Sequence, residues 1–210
     1  MELKKQAYSI LMAMLVVLGA TAQDKGAKKG GFAVKAGANF NYIDNAADKT
    51  GFLVGAWFAP QSKGFGFRTE FMFSQQAYSY EKNARTGDVK LNYIVLPQLM
   101  TLNITRFVQL HAGGQLAILL NAKVDSLPSS SSQPAPPQQK IMDVFNRINY
   151  GFAGGLEVYP AAGLLVGGRY NLYLNMLDRS NSSSNLPPYV PPYDGRLKNG
   201  QVQVYLGWRF

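Results

Sequence analysis

From residue 31 onward the chain alternates apolar and polar residues over eight segments, and this alternation constrains the fold more than any other feature. Successive side chains of a β-strand point to opposite faces, so a period of two residues predicts strands. The segments cover residues 31–40, 51–59, 65–76, 91–101, 107–120, 147–159, 164–175 and 201–210. The sequence therefore predicts one all-β domain over residues 31–210.

The gaps between these segments are alternately long and short. The longer gaps are 41–50, 77–90, 121–146 and 176–200, and the short ones are 60–64, 102–106 and 160–163. Outer-membrane barrels have this arrangement, with longer extracellular loops and short periplasmic turns, and ten tilted residues rise about 24 Å, close to their ~25 Å apolar band. We expect an eight-stranded antiparallel transmembrane β-barrel of up-and-down topology, with both termini in the periplasm.

The first 22 residues have the pattern of a secretory signal peptide. Lys4 and Lys5 precede the apolar run 10–18, and Ala20-Thr21-Ala22 is a small-x-small cleavage site. The apolar run is too short to span a membrane as a helix. We expect a cleaved signal peptide over 1–22, a flexible lead-in over 23–30, and export to the cell outer membrane.

The two faces of the predicted strands differ in side-chain size. One carries large aliphatic and aromatic residues, and the other carries small residues, amides and a few charges. Because an eight-stranded barrel has an interior just wide enough for side chains, we expect the large apolar face to contact lipid. A soluble carrier with an apolar interior is the alternative. Segments 51–59 and 91–101 alternate poorly, so their registers stay open. Aromatic residues near the strand ends are expected to form girdles at the two membrane interfaces: Phe40, Tyr42, Trp57, Phe58, Tyr78, Tyr159, Trp208 and Phe210.

Charged and polar residues on the smaller face predict a salt-bridge network that fills the lumen, because buried charges must be paired or hydrated. An ion or proton path is the alternative. The expected members of the network are Lys35, Arg68, Glu70, His111, Glu157, Arg169 and Arg209.

Enzymatic and metal-dependent functions have little support in the sequence. His111 is the only histidine and there is no cysteine, so a transition-metal site is disfavoured. An outer-membrane acyltransferase or protease would need a histidine beside acidic and hydroxyl partners. We expect His111 to form hydrogen bonds in the lumen, and we predict no catalytic residue, cofactor or metal. An outer-membrane lipid enzyme is kept as an alternative.

Two further sites concern partners. Trp208 and Phe210 end the last strand with aromatic residues, the pattern expected of a signal for the barrel assembly machinery. Tyr189 and Tyr193 lie in a proline-rich stretch that predicts a stiff extracellular contact surface. The net charge of +9 favours anionic lipid or lipopolysaccharide. No recognition motif supports nucleic acid as a partner.

Several short stretches of the chain share the order and spacing of a known family: 34–40, 50–52, Glu70 with 73–76, 91–97, 112–115, 169–172 and 203–210. Together they resemble the small outer-membrane β-barrel family of Bacteroidetes, the PorT-like or porin-family proteins. Val95 and Gln98 depart from the family pattern, which often has an acidic residue at the first position and an apolar residue at the second. The resemblance implies an eight-stranded outer-membrane barrel and no defined activity.

The sequence thus predicts a non-enzymatic outer-membrane barrel with a filled lumen and a structural or interaction role through its extracellular loops. A narrow porin-like channel for ions or small solutes is one alternative. An accessory role in a Bacteroidetes protein secretion system, with an extracellular or secretion-system partner, is another.

Overall fold

Eight strands make up the fold in a computed structural model that describes residues 31–43, 47–60, 64–82, 85–105, 107–125, 142, 145–161, 163–175 and 199–210. The predicted signal peptide, the lead-in and the pair Tyr189 and Tyr193 lie outside these described residues. The strands are β1 (Gly31–Ile43), β2 (Ala47–Ala59), β3 (Phe65–Lys82), β4 (Arg85–Asn103), β5 (Val108–Asp125), β6 (Ile148–Val158), β7 (Leu164–Tyr173) and β8 (Asn199–Arg209).

Each strand pairs antiparallel with the next, and β1 pairs with β8 to close the barrel. Closure leaves no strand edge with unpaired backbone groups, which a barrel in lipid requires. The predicted fold class, an all-β eight-stranded antiparallel barrel, is confirmed. Within the described part of the chain, no helix has the length and apolarity needed to cross a membrane.

Large apolar side chains point outward around the barrel. Phe71, Phe152 and Leu206 each expose more than half of their surface, while their strand neighbours Glu70, Gly151 and Tyr205 are buried inside. An apolar outer surface of this extent is stable in lipid and not in water. The structure therefore agrees with the predicted orientation of the two faces.

The two registers that the sequence left open have clear orientations. In β2, Leu53 and Trp57 point inward, and Phe52, Val54 and Phe58 point outward. In β4 the odd-numbered residues from 89 to 101 point inward. Gln98 consequently faces outward, where its Oε1 accepts a hydrogen bond of 2.8 Å from Thr69 on β3. This cross-strand bond gives the Gln98 side-chain oxygen a hydrogen-bond partner on the lipid-facing side.

Three of the aromatic residues predicted for the interfacial girdles point into the barrel instead. Trp57 and Tyr78 are buried, and the Tyr159 hydroxyl donates a hydrogen bond to Glu157 in the lumen. The prediction was wrong because position near a strand end does not determine the face, which depends on strand parity. The other five side chains are exposed on the outer surface: Phe40, Tyr42, Phe58, Trp208 and Phe210.

Three adjacent strands are much longer than the rest and form a projecting wall. β3, β4 and β5 contain 18, 19 and 18 residues, whereas β6, β7 and β8 contain 11, 10 and 11. The expectation of a long loop over 77–90 was wrong, because β3 and β4 stay paired as far as Lys82 and Arg85. The outer face of the wall turns polar at the row formed by Gln75, Asn92 and Asn121.

The side chains inside the barrel change in character along its axis. We call the end with the short connections 60–64, 104–107 and 159–163 the short-turn end, and the opposite end the long-loop end. Charged residues fill the short-turn half of the lumen, and buried amides such as Asn39, Gln201 and Gln203 follow them. The long-loop half is apolar and contains Tyr78, Val89, Leu91, Leu119 and Phe145.

Candidate functional site

The Glu70 carboxylate on β3 lies at the centre of the short-turn half and contacts three buried cations. Lys35 Nζ on β1 donates to Oε2 at 2.8 Å. Arg169 on β7 binds with both terminal nitrogens, each at 2.8 Å from a different carboxylate oxygen. Arg68 Nε lies 2.9 Å from Oε1. The bidentate arginine geometry is among the stronger charge-assisted interactions and crosses the lumen from β7 to β3.

A second carboxylate, Glu157 on β6, extends the network. Arg68 Nη1 donates to its Oε2 at 2.6 Å, so Arg68 contacts both carboxylates. The hydroxyls of Tyr205 and Tyr159 donate to Glu157 at 2.9 and 2.8 Å. Two arginines and two carboxylates form these ion pairs, and all four side chains are fully buried: Arg68, Arg169, Glu70 and Glu157. The network therefore joins strands that are not neighbours in the sheet.

His111 on β5 joins the network as a hydrogen-bond acceptor. Arg169 Nε donates to His111 Nε2 at 3.2 Å, so that nitrogen carries no proton. No hydrogen bond joins the ring to a carboxylate or a hydroxyl in the part of the chain that the structure describes. The same residues contain no cluster of three His, Asp or Glu side chains that could hold a metal ion. This arrangement offers no activated nucleophile.

Glycines on the inner face make room for the rings of the network. A Cβ atom at Gly167 would lie 2.4 Å from the Tyr205 ring, and one at Gly155 would lie 2.8 Å from His111 Nε2. Each ring thus lies directly against backbone on a neighbouring or nearby strand. The small residues that the sequence places on the inward face therefore admit large polar side chains into a narrow interior.

Arg209 is the member of the predicted network that the structure does not bring into these ion pairs. It is half-buried at the short-turn end, with its guanidinium carbon 5.7 Å from the centre of the Trp57 ring. The Arg68 guanidinium carbon lies 5.0 Å from the same ring. Trp57 is thus a lumen residue that the sequence assigned to the wrong face.

Two tyrosines that the sequence prediction did not include belong to the network. Tyr205 falls on the inward face of the last predicted strand, so parity alone could have identified it. Tyr159 has the parity of Glu157, two residues earlier in the predicted segment 147–159, so parity could have identified it as well. Lys35 also lies 4.3 Å from the centre of the Tyr205 ring, a cation–π contact.

A chain of hydrogen-bonded amide side chains fills the lumen on the side of the charged network that faces the long-loop end. Asn171 Nδ2 and Gln203 Nε2 both donate to Gln201 Oε1, at 3.0 and 2.8 Å. Gln201 Nε2 in turn donates to Asn41 Oδ1 at 2.8 Å. These bonds connect β7, β8 and β1 across their inner faces, so the filling of the lumen continues beyond the ion pairs.

The C-terminal aromatic residues lie on the outer surface at the seam that closes the barrel. Phe210 N donates to Phe32 O at 2.8 Å, and the two phenyl rings are 5.9 Å apart. Gly163, with φ of 83°, lies so close to Trp208 that a Cβ would be 2.6 Å from its indole. Trp208 and Phe210 therefore take part in closing the short-turn end, whatever their role in delivery.

A closed eight-stranded barrel with an apolar outer surface and an interior filled by side chains, charged in its short-turn half, defines an integral outer-membrane protein. The chain belongs to the family described as outer membrane protein beta-barrel domain, whose family model matches residues 21–179. The predicted location in the outer membrane agrees with this family. Membership of the Bacteroidetes PorT-like group stays a prediction.

Solved structures share this fold at low sequence identity. Ail, the attachment invasion locus protein of Yersinia pestis, solved with the heparin analogue sucrose octasulfate, is 16% identical with a TM-score of 0.50, and the match covers 87% of this chain and 100% of that chain. Neisserial surface protein A (NspA) is 17% identical with a TM-score of 0.49, covering 89% and 100%. OprG from Pseudomonas aeruginosa is 14% identical with a TM-score of 0.45, covering 88% and 98%. No curated protein matches the chain in sequence.

Proposed function

We propose that this protein is a non-enzymatic outer-membrane barrel with a filled lumen, which has a structural or interaction role through its long-loop end. It is exported by a signal peptide cleaved after Ala22, and its short turns and both mature chain ends face the periplasm. The observation that carries the proposal is the network around Glu70, which joins β1, β3 and β7 across the interior.

The filling of the lumen argues against a channel as the main function. An ion passing the short-turn half would have to displace buried, charge-assisted bonds on Glu70 and Glu157. It would then meet the amide chain of Asn171, Gln201 and Gln203 and, beyond it, an apolar region. Among the described residues, the apolar cluster of the long-loop half has no polar groups that could replace the hydration shell of an ion along its aliphatic members Val89, Leu91 and Leu119.

Planar bilayer recordings test this proposal. We expect no steady openings from the wild-type protein. The double variant Glu70→Ala, Arg169→Ala removes the central ion pair and should produce conductance. Thr69→Ala, which changes the neighbouring outward-facing residue on β3, is the matched control and should behave as the wild type. Steady wild-type openings that the double variant does not change would overturn the filled-lumen proposal.

The non-enzymatic part of the proposal depends on His111. Its Nε2 accepts a hydrogen bond from Arg169 and lies beside no nucleophile among the described residues. Lipid extracts from cells expressing the wild type or His111→Ala should therefore have the same composition. A lipid species that is present only with the wild type would contradict this part.

Lysines on the outer face of the projecting wall support a polyanion as the partner, with lipopolysaccharide the natural one in an outer membrane. Lys90 on β4 and Lys123 on β5 are directly opposite in the strand register. Lys123 is exposed, and a basic side chain near a membrane surface attracts anionic headgroups. The amides of Asn92 and Asn121 lie one row below. The structurally similar Ail was solved with a sulfated sugar, which is consistent with this partner class.

Calorimetric titration with sucrose octasulfate and with lipopolysaccharide tests the partner. Lys123→Gln should raise Kd about fivefold, since a basic residue near an anionic surface contributes about 1 kcal/mol. Lys49→Gln is the control: it removes a lysine of β2, beside the wall, that already forms an ion pair with Asp88. Equal effects of the two substitutions would contradict a site at Lys123.

A further inference from the structure

The short-turn half of the lumen contains more cations than carboxylates. Its described inward-facing side chains include four cations and two carboxylates, and His111 accepts a hydrogen bond on Nε2. The carboxylates are already engaged by Lys35, Arg68 and Arg169. No salt bridge to Arg209 exists within the described residues. Among the described residues, two positive charges are therefore uncompensated by carboxylate side chains at this end of the barrel. The cations are Lys35, Arg68, Arg169 and Arg209, and the carboxylates are Glu70 and Glu157.

Hydrogen-bond donors are also left without partners at the same place. Arg68 is fully buried, yet its Nη2 makes no hydrogen bond. Trp57 is 3% exposed, and its indole Nε1 makes none. Arg68 already contacts two carboxylates, so what its Nη2 lacks is a hydrogen-bond acceptor, and buried donors without acceptors are rare. Both orphaned groups can only donate, so the missing partner is an acceptor.

Trp57, which carries one of the unsatisfied donors, lies against two of the four cations. The guanidinium carbons of Arg68 and Arg209 lie 5.0 and 5.7 Å from the centre of the same Trp57 ring. In the strand register, Ala33 pairs with both Trp57 and Arg209, so the small Ala33 side chain separates the two larger ones. The Arg209 guanidinium lies against Gly31, since a Cβ there would be 2.9 Å from Arg209 Nε, so this glycine is what lets Arg209 reach the mouth of the lumen.

We propose that Arg68, Trp57 and Arg209 form a binding site for a small inorganic anion of halide size, chloride in a physiological medium, at the short-turn mouth of the lumen. The anion accepts from the Trp57 indole N–H and from the Arg68 guanidinium, and Arg209 closes the site from the aqueous side. The narrow interior of an eight-stranded barrel favours a single halide over a larger oxyanion. This site is independent of the wall lysines.

Bromide quenching of tryptophan fluorescence tests the site directly, because the chain has two tryptophans and only Trp57 lies in the lumen. In Trp208→Phe protein, folded in detergent, we expect saturable quenching by sodium bromide at constant ionic strength. Added chloride should compete and shift the bromide curve to higher concentration. Quenching that rises linearly without saturation, or competition by phosphate but not by chloride, would overturn the proposal.

Charge variants in the Trp208→Phe background complete the test. Arg209→Gln should raise the half-saturating bromide concentration at least tenfold. Arg147→Gln, which removes an exposed arginine before β6 at the long-loop end, is the matched control and should leave the curve unchanged. Arg209 lies outside the buried ion pairs, so its substitution should leave the barrel folded, as a heat-modifiability gel can verify. Identical bromide curves for the two folded variants would exclude the site.

Discussion

The two halves of the lumen are filled in different ways. In the short-turn half, each ion pair depends on others, since Glu70 binds three cations and Arg68 contacts two carboxylates. In the long-loop half, Tyr78, Val89, Leu91 and Phe145 pack as an apolar cluster. Apolar packing is non-directional and tolerates change locally, whereas an ion network fails when one member is removed. The comparison predicts that substitutions in the short-turn half affect several interactions at once, whereas substitutions in the long-loop half act locally.

Glu70→Gln should have the largest effect. The substitution preserves shape but leaves Lys35, Arg68 and Arg169 without their common counter-charge, and breaking a buried ion pair on one side costs about 3–5 kcal/mol. Urea unfolding in lipid vesicles would measure the loss. Glu70→Asp, which keeps the charge, should retain part of the stability. A loss below about 1 kcal/mol for Glu70→Gln would mean that the network adds little to folding.

Leu91→Ala probes the apolar half and should cost about 2–4 kcal/mol, as large-to-small core substitutions do. Leu91 pairs with Gln76, which lies six residues along β3 from Glu70, a separation of roughly 20 Å. Sites this far apart are usually additive within about 0.5 kcal/mol. The double variant with Glu70→Gln should therefore show the sum of the two losses, and a clear departure from additivity would break the distinction between the halves.

Gly167→Ala tests whether ring placement in the short-turn half is as restricted as the geometry indicates. The added methyl group would lie 2.4 Å from the Tyr205 ring and force it away from Glu157. Overpacking of this kind costs about 1–3 kcal/mol. Gly168→Ala, on the opposite face of β7 and with only a distant neighbour at 3.9 Å, is the control. Equal unfolding midpoints for the two variants would show that Tyr205 can move freely.

The smallest effect on stability is expected from an ion pair outside both halves of the lumen, the one that Asp88 of the projecting wall forms with Lys49. Hydrogen bonds from Lys49 and Ser79 hold the pKa of Asp88 below its usual value of 3.8. A lowered carboxyl pKa adds stability that is present above the unfolded pKa and lost as the pH falls through the folded one. The pair is partly exposed, so it contributes about 0–1 kcal/mol. A carboxyl NMR titration should place the Asp88 midpoint below 3.8 in the wild type and closer to 3.8 in Lys49→Gln. Equal midpoints would show that Lys49 does not hold the carboxylate.

The sequence predicted what depends on alternation and missed what depends on register. Parity places Arg68 and Glu70 on the inner face without any structure. The contact between Glu70 and Arg169 joins residues 99 positions apart, and it follows from the stagger of the strands around the barrel, which one sequence does not determine. Trp57 was misplaced because its segment has large apolar residues on both faces.

The projecting wall escaped prediction for a different reason. Beyond the apolar surface both faces of a strand can be polar, so the two-residue alternation of hydrophobicity disappears although the backbone pairing continues. Ser79 and Asp88 are side chains that usually indicate turns, yet here they bond to each other across two paired strands. The lengths of β3 and β4 were therefore underestimated by six residues each at that end, against two residues of β4 at the other.

Because β1 pairs with β8, the order in which the strands are synthesised can be changed without a change in the shape of the barrel. Ala33 pairs with Arg209, so the two chain ends of the barrel lie side by side. A linker of a few residues from Phe210 to Gly31, with new ends opened between Lys82 and Arg85, would give a circular permutant with every strand pair intact. Such a chain should still fold in detergent. If cells then fail to insert it, the C-terminal position of Trp208 and Phe210 serves delivery, and the same residues inside the chain serve only closure.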